Sequence, residues 1–169
     1  MLCSRCTSDE DYAKVSLFLL ANKRSLHPSF STMDAVMMLY SYITDGHFIQ
    51  VTDTDGRIIA MCAYYLGTPE REHVDQEVAF IDVAIVHPER RGSRLFLTGL
   101  KYTFQSILAS HPEVREIRFA ALAENKYVCN LYSKFSTFSH MRMGSSGEEM
   151  VFSARIDEIN AFLTKFYHV

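Results

Sequence analysis

The chain has little of what would set it apart from ordinary folded domains. Its 169 residues hold four cysteines, at 3, 6, 62 and 129, too few and too scattered for a secreted disulfide framework. There is no low-complexity tract, no Pro/Gly-rich linker and no internal repeat. Seventeen Lys and Arg face twenty Asp and Glu, a net charge of −3, so no basic field exists to hold a nucleic acid and no such partner is expected. The longest apolar stretches, Val15–Ala21 and Phe80–Val86, fall far short of a membrane span, so no membrane partner is expected either. Met1 is followed by Leu-Cys-Ser-Arg-Cys rather than the apolar run of a signal peptide, which predicts a cytoplasmic protein with reduced thiols. Cys3-x-x-Cys6 has metal-ligand spacing, but no second pair follows; a frayed N-terminus and no metal are expected there.

Hydrophobic residues make up 48% of the chain and charged residues 22%, which fits one folded domain spanning residues 1–169. Thr7 or Ser8 can cap a first helix whose opening residues Asp9, Glu10 and Asp11 suit the positive end of the dipole. Tyr12, Val15, Phe18 and Leu19 form its apolar face. A second helix follows the Ser31-Thr32 cap and stops near Gly46. The period then changes to that of strands. His47–Asp53 and Arg57–Tyr65 flank the turn signal Asp55-Gly56, and Glu77–Val86 is apolar on both faces apart from Asp82. Leu97, Leu100, Phe104 and Ile107 mark a long helix ended by His111-Pro112. Val114–Ala121 is predicted as a strand, Glu124–Lys134 as a helix, Phe138–Met143 and Glu148–Ala154 as paired strands, and Ile156–Phe166 as a last helix. The order ααβββαβαββα implies an α/β fold in which a mixed sheet carries helices on both faces, a single three-layer domain.

Two places carry chemistry. The first is Val86-His87-Pro88-Glu89-Arg90-Arg91-Gly92-Ser93-Arg94-Leu95-Phe96, which joins a buried strand directly to a long helix. The free amides of the first helical turn, the dipole, the small Gly92 and Ser93, and the guanidiniums of Arg90, Arg91 and Arg94 make an anion site, with diphosphates favoured. A solvated helix start accounts for the same residues equally well. The second is Asp82. A lone carboxylate in an apolar strand is costly unless it is paired or functional, so it is either a base or half of an ion pair. Glu77 at the end of the same strand is a second candidate base, and His73 and His87 can titrate near neutrality.

The turn Val-His-Pro-Glu-x-Arg-Gly resembles motif A of the GNAT superfamily of acyl-CoA N-acyltransferases, Arg/Gln-x-x-Gly-x-Gly/Ala, beginning here at Arg91. Asn125-Lys-Tyr-Val-Cys-Asn-Leu-Tyr-Ser-Lys-Phe135 resembles the second signature of that family, and the element order matches along nearly the whole chain. The sequence departs from the pattern at Arg94 and Phe96, where small residues are expected, and at Ser136, which replaces a glycine. Phe96 is expected to pack into the core and narrow the cofactor channel, and Arg94 to lie over the diphosphate.

The resemblance implies a GNAT-like fold and an N-acyltransferase that moves an acetyl or longer acyl group from a coenzyme A thioester to a primary amine by direct attack in a ternary complex. It implies acetyl-CoA or another acyl-CoA as the donor, held by Arg91, Gly92, Ser93, Arg94, Leu95 and Phe96. Backbone groups of Val83, Ala84, Ile85 and Val86 would polarise the carbonyl, and Asn125 would bond the pantetheine arm. Tyr132 would protonate the departing thiolate, and Asp82 or Glu77 would deprotonate the amine. Tyr132 read alone is a core residue of an amphipathic helix, and Asn125 read alone is a helix cap. The acceptor is a small-molecule or peptide amine chosen by the loops Leu26–Ser31 and Gly67–Gln76, whose mixed charge does not favour a polycation. A homodimer is compatible with the family pattern. Two other functions stay open: a catalytically silent acyl-CoA-binding sensor or partner module, and an acyl-carrier-protein-dependent synthase of N-acyl amino acids or signals. Met33–Tyr42 is adaptable apolar surface suited either to a hydrophobic acceptor or to plain packing.

Overall fold

A computed structural model describes residues 1–91 and 94–167. The first two helices start where their caps predict. Ser8 caps α1 (Asp9–Asn22) and Ser31 caps α2 (Thr32–Asp45). In each, the serine hydroxyl accepts from the amide three residues on, at 3.2 and 3.1 Å, and that residue's carboxylate accepts from the serine amide. The hairpin between β2 (His47–Thr52) and β3 (Ile58–Leu66) turns where Asp55-Gly56 predicts, with Gly56 at φ +77°.

The N-terminus is a correction to the expectation of fraying. Leu2–Arg5 forms a strand, β1, antiparallel to β2. The cause is anchoring beyond the strand itself. Cys6 is buried and its amide donates to the Phe48 carbonyl at 3.0 Å. The Arg5 guanidinium meets His47 Nδ1 at 2.8 Å and Ser110 Oγ at 3.0 Å. No alternation in four residues announces such a strand.

The other elements are β4 (Val78–Val86), α3 (Leu95–Ser110), β5 (Glu116–Leu122), α4 (Lys126–Tyr132), β6 (Thr137–Gly144), β7 (Gly147–Arg155) and α5 (Ile156–Tyr167). Among the described residues they build one seven-stranded sheet in the order β1-β2-β3-β4-β5-β7-β6, antiparallel except for β4 beside β5. One face packs Phe48, Phe80, Val83 and Val151 against α1 and α2 through Val15, Leu19 and Leu39. The other packs Ile81, Ile117, Phe119 and Phe152 against α3, α4 and α5 through Phe104, Ile107, Tyr132 and Ile159. Burying each such side chain contributes roughly 1.5–3 kcal/mol.

Two irregularities in β4 shape everything that follows. Its pairing with β3 shifts so that Ala63 faces Val83 and Tyr64 faces Ile81, leaving Asp82 as the extra residue of a β-bulge. Its parallel pairing with β5 covers only Val78–Ile81 against Glu116–Phe119, although both strands run on past that point.

Two glycines of positive φ separate the cost of the backbone conformation from that of crowding. Gly56 has open space where a Cβ would stand, whereas at Gly67, φ +80°, a Cβ would lie 2.5 Å from the His73 backbone. Gly56→Ala is expected to destabilise by about 1 kcal/mol and Gly67→Ala by at least twice that, measured by denaturant unfolding.

Candidate active site

The divergence of β4 from β5 opens the sheet from its middle. The His87 amide donates to the Ile59 carbonyl at 2.8 Å, which sets the phase of the β3–β4 ladder. By antiparallel alternation the peptide groups of Val83 and Ile85 bond to β3, and those of Ala84 and Val86 point to the β5 side, where no strand meets them. Ala84 is exposed although it sits in a central strand. The opening thus presents amides and carbonyls at Ala84 and Val86, while the side chains of Val83 and Ile85 are buried in the core.

At the carboxyl ends of these strands lies an open groove of about 590 Å³. Arg24, Pro88, Arg91, Leu122, Glu124 and Asn125 line it. Arg24, from the turn after α1, was not legible in the sequence as a site residue. Asn125 caps α4, accepting from the Val128 amide at 3.2 Å, so the helix-cap reading of this residue is realised in the structure. Gly92 and Ser93 lie outside the described residues. Arg94 stands at the cap position of α3, and Leu95 is buried against Val51, Ile59 and Ala60. Two guanidiniums line the groove with Glu124, and the unpaired peptide groups of Ala84 and Val86 face the neighbouring opening; together they suit a ligand with an anionic end and a thin uncharged arm.

Tyr132 ends α4 on the α3 side of the opening and is 5% exposed. Its ring packs on Phe119 at 5.2 Å and on Phe135 and Phe152 at 6.0 Å. Phe96 stands 6.4 Å from it and 6.1 Å from Phe135, packed against the same core. Its hydroxyl has no hydrogen-bond partner among the described residues. Burial pushes the phenol well above its usual pKa, with smaller contributions from Cys62, Cys129 and Asp82. It is a protonated donor that no described residue engages.

Across the sheet, Asp82 belongs to a charge network centred on Arg142. Asp82 Oδ1 accepts from Arg142 Nη2 at 2.9 Å and Asp82 Oδ2 from the Tyr42 hydroxyl at 2.6 Å. Arg142, from β6, also donates through Nε to Glu149 at 2.7 Å and through Nη1 to Glu70 at 3.2 Å, and its guanidinium lies 4.5 Å over the Phe80 ring. Three carboxylates therefore surround one guanidinium. Burial raises the Glu149 carboxyl above its usual pKa, against the lowering pull of Arg142. The ion-pair reading of Asp82 is thus realised. Arg142, Glu149, Glu70 and Tyr42 were not foreseen, because nothing local marks residues this far apart in the chain. Glu77 is not brought to the site. It is exposed at the opposite end of β4, about 16 Å along the strand from Asp82, where the β4–β5 pairing is intact.

No family model matches the chain, and no curated protein matches its sequence. Solved structures do match in shape. A protein assigned to the GNAT acetyltransferases of Desulfovibrio desulfuricans superposes with a TM-score of 0.69 at 12% identity, over 92% of this chain and 98% of that one. This is the GNAT fold. A spermidine N-acetyltransferase variant from Vibrio cholerae shares it at TM-score 0.66 and 12% identity, covering 94% and 97% of the two chains. So does a ribosomal-protein-S5-alanine acetyltransferase from Vibrio fischeri, at TM-score 0.64 and 12% identity over 92% and 93%. In the GNAT fold of this chain no group of three or more His, Cys, Asp or Glu among the described residues is placed to hold a metal ion. No helix among them is long and apolar enough to cross a membrane.

Removing the single cation from the three carboxylates has a defined pH signature. Arg142→Met is expected to cost about 3 kcal/mol near neutral pH. Without the lowering pull of Arg142 the Glu149 carboxyl, already raised by burial, rises further, so the deficit shrinks as pH falls through the acid range. Thermal melts of variant and wild type between pH 8 and pH 5 check this.

Proposed function

We propose that the chain is an N-acyltransferase taking its acyl group from a coenzyme A thioester and giving it to a cationic primary amine. The observation that carries this reading is the opening between β4 and β5, with the Tyr132 phenol on one face of the sheet and the Asp82–Arg142–Glu149 network on the other.

Bound coenzyme A would supply the thioester carbonyl and the thiolate leaving group. The chain's residues supply the rest. Arg24 and Arg91 flank the diphosphate at the mouth, the Ala84 or Val86 amide donates to the carbonyl oxygen, and the apolar walls exclude water. Glu149 takes the proton of the attacking amine. Its Oε1 has no hydrogen-bond partner among the described residues, whereas both oxygens of Asp82 are engaged, so Asp82 is the positioning residue. The nitrogen forms the new C–N bond as the C–S bond breaks, and the Tyr132 hydroxyl gives its proton to the sulfur. A phenol held protonated in an apolar site loses its proton only as charge develops on the leaving group.

The acceptor follows from charge. By their names, one neighbour of this fold acts on spermidine and another on a ribosomal protein. Here three carboxylates outnumber one guanidinium beside the opening, and one of them, Glu70, belongs to the Gly67–Gln76 loop. That surplus, which the loop's own composition does not disclose, favours an amine carrying positive charge.

Tyr132→Phe and Glu149→Gln are each expected to lower kcat by roughly 10²–10⁴-fold while leaving acyl-CoA bound, and Arg91→Ala to weaken that binding. Calorimetry with acetyl-CoA and free coenzyme A, followed by thiol release on a panel of diamines and basic peptides, checks each step. Folded protein that binds neither thioester nor free coenzyme A refutes the proposal.

A further inference from the structure

The opening does not end at Tyr132. A narrow cavity of about 50 Å³ runs from it beneath α3, between that helix and the sheet. Ala84, Phe96 and Tyr132 line it beside the opening, and Gly99, facing Val51 of β2 two strands away from β4, lines its far end. From β4 to β2 is two strand spacings, roughly 9–10 Å. Apart from the Tyr132 hydroxyl and the Ala84 and Val86 peptide groups beside the opening, its polar side chains bond each other. The Cys62 thiol and the Thr103 hydroxyl bond each other at 3.3 Å, and the remaining lining is mainly aliphatic and aromatic. Such a void stays dry and accepts an apolar guest.

Gly99 is the unusual residue here. It sits in the interior of α3, where glycine costs about 1 kcal/mol relative to alanine. No steric conflict requires it: a Cβ there would meet only Val51 Cγ2, at 3.9 Å. Packing of this chain alone would be served better by a larger residue. The glycine instead leaves space open at the end of a cavity that begins beside the Tyr132 phenol.

We infer that this cavity receives the hydrocarbon tail of the donor, and that the acyl groups transferred are longer than acetyl, with Gly99 setting the length. A water-sized sphere takes roughly 10–15 Å³ of such space, so the void holds about four methylene-sized groups. Butyryl to hexanoyl thioesters match it; octanoyl exceeds it. The inference rests on the acyl-transfer reading above and adds the class of donor.

The test uses the full chain with coenzyme A and its acetyl, butyryl, hexanoyl and octanoyl thioesters, by calorimetry. Two extra buried methylenes correspond to about a tenfold gain in affinity, so butyryl- and hexanoyl-CoA are expected to bind about tenfold or more tightly than acetyl-CoA. Gly99→Val, which fills the inner end, is expected to weaken hexanoyl-CoA about tenfold more than acetyl-CoA. Gly99→Ala guards against misfolding: it raises Tm through helix propensity and shifts the preference toward butyryl. Equal affinity for acetyl and hexanoyl in the wild type, or a preference unchanged in both variants, overturns the inference while the acyl-transfer reading stands. Failure of free coenzyme A and every thioester to bind overturns that reading itself.

Discussion

Every feature of the candidate site depends on β4 parting from β5 after four paired residues. A parallel pair buried between two layers would normally continue to the strand ends, because each unmet peptide group loses a hydrogen bond in a site with little water. Here Ala84 and Val86 forgo those bonds within the fold. The bulge at Asp82 accompanies the change: it adds a residue to β4 just where the parallel ladder stops and alters how the later side chains fall on the two faces. A strand that would otherwise be sealed in the core becomes a row of donors and acceptors facing a slot.

The two faces of that slot have opposite characters. On the α3 side the surroundings are aromatic and dry, and the Tyr132 phenol is kept protonated by burial. On the α1–α2 side Arg142 ties together β4, β6, β7 and the loop after β3, through Asp82, Glu149 and Glu70. One guanidinium in van der Waals range of Phe80 satisfies three carboxylates at once, which fixes their geometry and leaves negative charge in surplus. A buried phenol and a surplus of negative charge thus lie on opposite faces of the sheet, joined through its opening.

Much of the fold was legible because its signals are local. Ser8 and Ser31 each sit three residues before an aspartate, Asp55-Gly56 closes a hairpin, and the apolar Glu77–Val86 stretch marks a strand buried on both faces. β1 was not legible, since its stability comes from Arg5 reaching His47 and Ser110 rather than from its own pattern. At the site, Asp82 and Tyr132 stood out, one as a charge among apolar residues and the other through its motif. Arg142 and Glu149 did not, because they look like ordinary members of an exposed hairpin until the sheet order sets β7 and β6 beyond β5. Glu77 misled for the same reason: nearness along a strand says nothing about which end of it opens.

The most direct test is to follow the backbone amides of Ala84 and Val86 by ¹⁵N–¹H correlation spectroscopy during titration with butyryl-CoA. If the thioester arm enters between β4 and β5, these two amides shift and gain protection from exchange, while those of Val83 and Ile85, already bonded to β3, move much less. Saturable binding that leaves Ala84 and Val86 unmoved would place the ligand elsewhere and contradict the account.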